Sequence, residues 1–118
     1  MTQPNYNPFR KRDWVETEHG TITYEHRRYF THRKQEHVFK KYQAFGISLT
    51  ELEICHKEHV DHIVIKYHGK KRNTLYKIPL SYLKYMETYD NKEDTQVLIP
   101  IKEMEIIGVE ADGDYDGN

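Results

Sequence analysis

Residues 60–79 read VDHIVIKYHGKKRNTLYKIP and contain the strand pattern on which the fold prediction depends. Every second residue from Ile63 to Tyr67 has a large apolar or aromatic side chain, which is typical of a strand with one buried face. A second strand is predicted over residues 75–79, where a proline ends it. Turn-forming residues flank the intervening segment 68–73. The stretch therefore predicts a β-hairpin with a basic tip.

A helix is predicted upstream of this hairpin, over residues 32–45. Its apolar residues have the one-sided spacing of an amphipathic helix, at Val38, Phe39, Tyr42 and Phe45. Gly46 follows directly, at the position where a helix C-terminus favours a residue that adopts positive φ. The segment is therefore expected to form the first of two principal helices.

The second principal helix has a capping box at its start. In this pattern the Ser48 side-chain oxygen accepts from the Glu51 backbone N–H, and the Glu51 carboxylate accepts from the Ser48 backbone N–H. We expect this helix to begin after Ser48 and to end near Lys57 or Glu58.

Shorter elements complete the predicted fold. Residues 14–24 favour a β-hairpin interrupted at Gly20. A short helix is predicted over residues 81–86 and a strand over residues 96–99. The segment 101–107 fits either a turn of helix or a further strand. The resulting order, β-β-α-α-β-β-α-β, predicts an α+β domain with a mainly antiparallel sheet.

One domain is predicted over residues 9–107. Residues 1–8 contain two prolines and two asparagines, and we expect them to form a flexible leader. Residues 108–118 are rich in glycine and aspartate and are expected to form a disordered acidic tail. Such a segment buries too little apolar surface to offset the entropy lost on ordering.

Composition restricts the class of protein. The 118 residues are the length of one domain, and the chain is 36% hydrophobic and 31% charged. No apolar stretch has the ~18 residues that a membrane helix needs, and residues 1–6 lack a hydrophobic signal region. The single cysteine is typical of a protein in a reducing compartment. We therefore expect a cytoplasmic protein without a membrane partner.

Charge is distributed unevenly along the chain. Residues 1–84 contain 16 Lys and Arg and 9 Asp and Glu, whereas residues 85–118 contain 2 and 10 respectively. The two segments therefore have net charges of +7 and -8, which sum to the formal -1 of the chain. A basic body with an acidic tail is typical of proteins that contact polyanions, of which nucleic acid is the commonest.

Basic residues alternate with aromatic ones in several clusters, including 26–34, 40–42 and 70–72. Lysine and arginine contact phosphates, and exposed rings provide stacking surfaces for unpaired bases. The predicted nucleic-acid-binding residues are Arg27, Arg28, Arg33, Lys34, Lys70, Lys71 and Arg72.

A concentration of metal-binding residue types occurs at 55–62. Cys55, His56 and His59 have spacings that would place pairs of them on one face of a helix. Structural zinc sites usually use four ligands, and the chain has no second cysteine. We therefore predict no bound metal or cofactor, and we interpret the histidines as exposed residues favoured near a helix C-terminus.

The same region resembles the start of the ββα-metal motif of HNH nucleases, in residues 60–64 and 73–75. The resemblance implies that Asp61 is a metal ligand, that His62 is the general base and that Asn73 orients that base. A neutral histidine can accept a proton from the attacking water while a cation stabilises the phosphate. Residues 74–79 depart from the family pattern, because they are predicted as a strand where the motif has a helix.

These observations favour binding over catalysis. The first hypothesis is a small non-enzymatic binding protein that contacts nucleic-acid phosphates through its basic body and hairpin tip. The second is a protein-interaction regulator or inhibitor, of viral or mobile-element type, that uses its charge asymmetry. The third is a metal-dependent nuclease similar to the HNH family.

Overall fold

The predicted hairpin lies near the middle of the larger of two sheets in the computed structural model. The structure describes residues 14–16, 19–23, 25–90 and 94–111. Within these residues there are three short 3-10 helices and the following elements: β1 (Trp14–Glu16), β2 (Gly20–Thr23), β3 (Arg28–Lys34), β4 (Val38–Phe39), β5 (Ala44–Ser48), α1 (Leu49–Lys57), β6 (His62–His68), β7 (Arg72–Pro79), β8 (Thr88–Asp90), β9 (Thr95–Pro100) and β10 (Glu105–Ala111).

The strands form a large and a small sheet. The large sheet has the strand order β1-β2-β3-β6-β7-β10, and the small sheet has the order β4-β5-β9-β8. Neighbouring strands are antiparallel except for β3 and β6, which are parallel. A parallel pair requires a crossover connection, and here residues 35–61 supply it through β4, β5 and α1. The predicted α+β domain is thus confirmed in outline, with more strand and a more mixed sheet than expected.

The core lies between the two sheets and beneath α1. Ile63, Ile65 and Ile78 from the large sheet are 0% exposed, as are Ile47 and Ile99 from the small sheet. Their alternate positions along each strand bring all of them to the inner faces of the two sheets. The predicted burial of Ile63 and Ile65 is confirmed.

Helix α1 begins at the predicted capping box. The Glu51 backbone N–H donates to Ser48 Oγ over 3.1 Å, and the Ser48 backbone N–H donates to Glu51 Oε2 over 3.0 Å. The helix ends at Lys57, with Glu58 as its C-cap. Both predicted ends are confirmed, because hydrogen bonds local to the sequence determine them.

No helix in the described part of the chain is long and apolar enough to span a membrane.

The helix predicted over residues 32–45 does not form. Strand β3 continues to Lys34, and a 3-10 turn, β4, a four-residue turn and β5 follow. Val38 pairs with Phe45 across the β4–β5 hairpin, so the two side chains meet between strands instead of along a helix. Gln43 closes the turn at φ 50, and Gly46 is a strand residue and not a helix cap. Pairing of β5 with β9, which lies far along the chain, outweighs the local helical spacing.

The C-terminal half agrees more closely with the prediction. The short helix is a 3-10 helix over Leu80–Tyr85, and the expected strand is β9. The ambiguous segment contains both alternatives, a 3-10 turn over Ile101–Glu103 followed by β10. Residues 108–111, which were expected in the tail, belong to β10 because they pair with β7. The predicted leader 1–8 and the rest of the predicted tail, 112–118, lie outside the described residues.

Candidate nucleic-acid interface

The large sheet has an inner face, which packs on the core, and an opposite face, which we call the outer face. Tyr29 and Ile63 are directly paired inner-face residues of β3 and β6, and both are buried. Because side chains alternate between faces, the residues on either side of them belong to the outer face. Most of the outer-face residues of β3, β6 and β7 are basic or aromatic, and they are Arg28, Phe30, His32, Lys34, His62, Lys66, His68 and Lys77.

The register of the strands divides the predicted phosphate-binding residues between two ends of the sheet. Arg28 begins β3, with Arg27 in the turn before it. Lys34 ends β3 beside His68, and residues 70–72 follow at the tip of the β6–β7 hairpin. Lys34 lies six positions after Arg28 along β3, a distance of about 20 Å. Lys34, Lys70, Lys71 and Arg72 are all exposed and lie at the same end of the sheet.

Arg33, one of the predicted nucleic-acid-binding residues, is turned away from this basic surface. Its guanidinium donates to the carbonyl oxygen of Gly46, with Nη2 at 3.1 Å and Nε at 3.3 Å. Nη2 also lies 3.3 Å from Glu51 Oε2, and the Arg33 side chain is only 12% exposed. The odd-numbered positions of β3 face the core, which places Arg33 inside and leaves Lys34 outside.

Two lysines on the outer face were not among the predicted site residues. Lys66 lies beside His32 in the register, and Lys77 lies beside Val64. Lys66 Nζ is 2.9 Å from the Glu110 carboxylate, so that lysine is partly neutralised. The alternation over 60–67 placed Lys66 opposite the buried isoleucines, but only the sheet order brings Lys66 next to β3 and Lys77 next to β6 on the same face.

Three rings form a cluster at the basic end of the outer face. His32 Nδ1 lies 2.8 Å from His68 Nε2, and their rings are stacked at 26°. The ring of Phe30 meets that of His32 edge-on, with centroids 5.2 Å apart. The short contact between the two imidazoles requires that one donates a proton and the other accepts it. The cluster gives Lys34 an aromatic neighbourhood of the kind that contacts both bases and phosphates.

The residues of the nuclease hypothesis do not come together. His62 is the first residue of β6 and pairs with Pro79, at the open end of the hairpin. Asn73 lies near the start of β7 and pairs with His68, at the loop end. The distance between His62 and Asn73 is therefore about 20 Å along the strands. Asp61 is exposed, and Asn73 is fully buried. Asn73 cannot orient His62 at that distance, and a strand occupies the place of the helix in the motif.

The cysteine–histidine cluster also lacks the geometry of a metal site. Cys55 is 0% exposed on the inner side of α1, whereas His56 and His59 are exposed. No three His, Cys, Asp or Glu side chains among the described residues are grouped so that they could hold a metal ion. Burial, with a smaller effect of the Glu51 charge, raises the pKa of the Cys55 thiol to about 12. The residue is therefore a protonated core thiol and not a nucleophile.

We expect Cys55 to resist a thiol-specific reagent at neutral pH and to react at the ordinary rate once the protein is unfolded. Because folding raises its pKa above the ordinary 9.0, the unfolded chain releases this proton first. The contribution of the protonated Cys55 thiol to the free energy of unfolding is complete below pH 9 and is lost as the pH rises from about 9 towards 12. Labelling followed by mass spectrometry checks the accessibility of the thiol, and rapid labelling of the native protein would contradict its burial.

A pocket of about 630 Å³ opens next to the basic end of the sheet, between β3 and the small sheet. Phe39 and Gly46 line one side of it, and His32 and Arg33 line another. The Arg33–Glu51 ion pair lies on the lining, and Glu36 and Asp94 add two further carboxylates to it. The other lining residues are His19, His37, Val38, Ser48 and Gln96.

A scan against protein-family models, a search of curated proteins and a search of solved structures each found no match to this chain.

Proposed function

We propose that this protein is a small non-enzymatic binding protein that contacts nucleic-acid phosphates through the outer face and the hairpin tip. The observation that carries the proposal is the convergence of Lys34 with residues 70–72 at one end of the large sheet. These cations come from separate parts of the chain, and nearby rings provide stacking surfaces. Cationic and aromatic groups on a rigid sheet are a common way to bind a polyanion.

The dimensions of the surface suit a nucleic-acid strand. The length of about 20 Å from Arg28 to Lys34 equals the axial length of roughly six phosphates on one strand of a duplex, at 3.4 Å per phosphate. The carboxylates of Glu105 and Glu110 lie on β10, the edge strand, away from β3. Of these two residues Glu110 lies nearer the tip, because it pairs with Asn73, and its carboxylate is 2.9 Å from Lys66 Nζ.

Alanine at Lys70, Lys71 and Arg72 together is expected to weaken nucleic-acid binding uniformly across sequences. Phosphate contacts carry no base information, and each lost duplex contact lowers the slope of log affinity against log salt by about 0.9. Thermal stability should change little, since exposed charges contribute little to folding. Fluorescence anisotropy with labelled DNA and RNA at several salt concentrations measures both affinity and slope.

The matched control is alanine at Lys57, Lys84 and Lys102, which removes the same charge from exposed positions outside the interface. Affinity should fall clearly further for the tip variant than for this control. Equal losses in the two variants would mean that net charge alone matters and that the tip has no special role. Absence of wild-type binding at low salt would refute the proposal.

A protein-interaction regulator or inhibitor is the second candidate, and one feature of β10 favours it. This edge strand exposes Ile106 and Val109 by 58% and 52%, and Ile107 by 38%. An edge strand with exposed apolar residues can pair with another chain. If the protein does not bind nucleic acid, β10 is the first surface to test for binding of a protein partner.

A further inference from the structure

The small sheet has a second pocket, of about 290 Å³, on the face turned away from the core. Phe39 of β4 and Tyr89 of β8 come from the two edge strands of that sheet. Their rings nevertheless meet above the sheet, with centroids 5.2 Å apart and planes at 66°. The lining is completed by Lys40, Lys41 and Tyr42.

The absence of a side chain at Gly46 allows the contact between the Phe39 and Tyr89 rings. Gly46 lies in β5, and a Cβ added there would be 2.7 Å from Cε1 of Phe39 and 2.3 Å from Oε1 of Gln96. Both distances are too short for a side chain at position 46 unless its neighbours move. The missing side chain therefore lets the Phe39 ring lie across the sheet towards Tyr89.

The turn that carries the lysines is held in place by the backbone. The Tyr42 N–H donates to the Phe39 carbonyl oxygen over 3.0 Å, and the Gln43 N–H donates to that of Lys40 over 3.2 Å. The Gln43 carbonyl in turn accepts from the Ile101 N–H at 2.9 Å, which ties the turn to the end of β9. These hydrogen bonds fix the backbone of the turn that contains Lys40 and Lys41.

The chemistry of the lining suits a planar, negatively charged ligand. The Tyr42 and Tyr89 side chains are 42% and 40% exposed, so ring surface is available for stacking. Lys41 Nζ lies over the Tyr42 ring, 5.5 Å from its centroid, which places positive charge at one face of that ring. None of the five lining side chains carries a carboxylate. A nucleotide has both features that such a pocket selects, a flat base and a phosphate.

We propose that this pocket takes one unpaired nucleobase against Tyr42 and Tyr89, with the adjoining phosphate at Lys40 and Lys41. The inference rests on the proposed function and specifies its ligand as single-stranded nucleic acid. Continuity of the surfaces supports it, because Phe39 lines both this pocket and the larger one that reaches His32 on the outer face.

The test compares binding of a short labelled oligothymidylate and of a duplex by wild type, Tyr42→Ala and Tyr89→Ala. Loss of one stacking ring should weaken single-strand binding by about 5- to 150-fold, and duplex binding should change little. Tyr42→Phe and Tyr89→Phe keep the rings and should bind like wild type. Tyr85→Ala is the matched control, because Tyr85 is 79% exposed, has Lys84 Nζ 5.2 Å from its ring centroid, and does not line the pocket.

An oligonucleotide without bases tests the same contact from the ligand side, and circular dichroism verifies that each variant is folded. Wild type should bind this abasic strand less tightly by at least a similar factor, and each alanine variant should distinguish it from oligothymidylate less than wild type does. If single strands bind but neither the tyrosines nor the bases matter, the pocket proposal is wrong while the phosphate interface stands. If wild type binds no nucleic acid, both proposals are wrong.

Discussion

Replacing Glu51 with alanine is expected to lower the free energy of unfolding by about 3–5 kcal/mol, the usual cost of removing one partner from a buried ion pair. The carboxylate is 6% exposed and lies 3.3 Å from the Arg33 guanidinium. It also accepts from the buried Tyr29 hydroxyl at 2.5 Å. Alanine leaves the Arg33 charge in place without this carboxylate and deprives the Tyr29 hydroxyl of an acceptor.

Two variants of the same region separate this effect from the loss of the helix cap. Ser48→Ala removes only the cap and should cost about 1 kcal/mol. Glu53→Ala removes a charge from the exposed side of α1 and should change stability by less than about 0.5 kcal/mol. Urea denaturation followed by circular dichroism measures all three. A Glu51→Ala variant no less stable than Ser48→Ala would show that the ion pair contributes nothing beyond the cap.

Phe45→Ala is expected to destabilise the protein by about 3–5 kcal/mol, because it opens a cavity where the two sheets meet. Phe45 is 0% exposed and belongs to β5 of the small sheet. Its ring centroid is 5.6 Å from those of Tyr67 and Tyr76, which lie on β6 and β7 of the large sheet. The side chain therefore joins the two sheets.

Phe45→Leu is the milder comparison, since it keeps most of the apolar volume and should cost less than half as much as alanine. Tyr82→Ala, at a residue that is 51% exposed, should be nearly neutral. The same denaturation experiment applies to all three variants. A loss below about 1 kcal/mol for Phe45→Ala would contradict the packing of the two sheets around this ring.

The local parts of the fold were predictable from local signals. The capping box at Ser48 and Glu51 has its complete hydrogen-bonding set within four residues, so no distant contact can easily replace it. The β6–β7 hairpin is similarly local, since its register follows from a short turn and an alternating pattern. The helix began where the sequence predicted it, and the hairpin formed with a shorter loop than predicted, because β6 includes His68 and β7 begins at Arg72 instead of residue 75.

The segment 32–45 was predicted wrongly because its periodicity has two interpretations. Val38 and Phe45 are seven residues apart, which suits one face of a helix and also suits the two sides of a hairpin. The segment forms a strand because Phe45 pairs with Ile99, which lies more than fifty residues further along the chain. A single sequence contains no signal for a partner that distant.

For the candidate site, the sequence by itself determined which residues are charged and that Lys70, Lys71 and Arg72 occupy an exposed hairpin tip. Only the tertiary structure decided which cations share a surface. In the folded protein Arg33 points inward to Glu51, and Lys34 lies next to the hairpin tip. Lys66 and Lys77 also lie on the outer face of the large sheet. The tertiary structure also brought Phe39 and Tyr89, fifty residues apart, into contact above Gly46. The physical reason is that sheet order and register, which arise from backbone pairing between distant strands, determine these juxtapositions, whereas local composition determines only the charges.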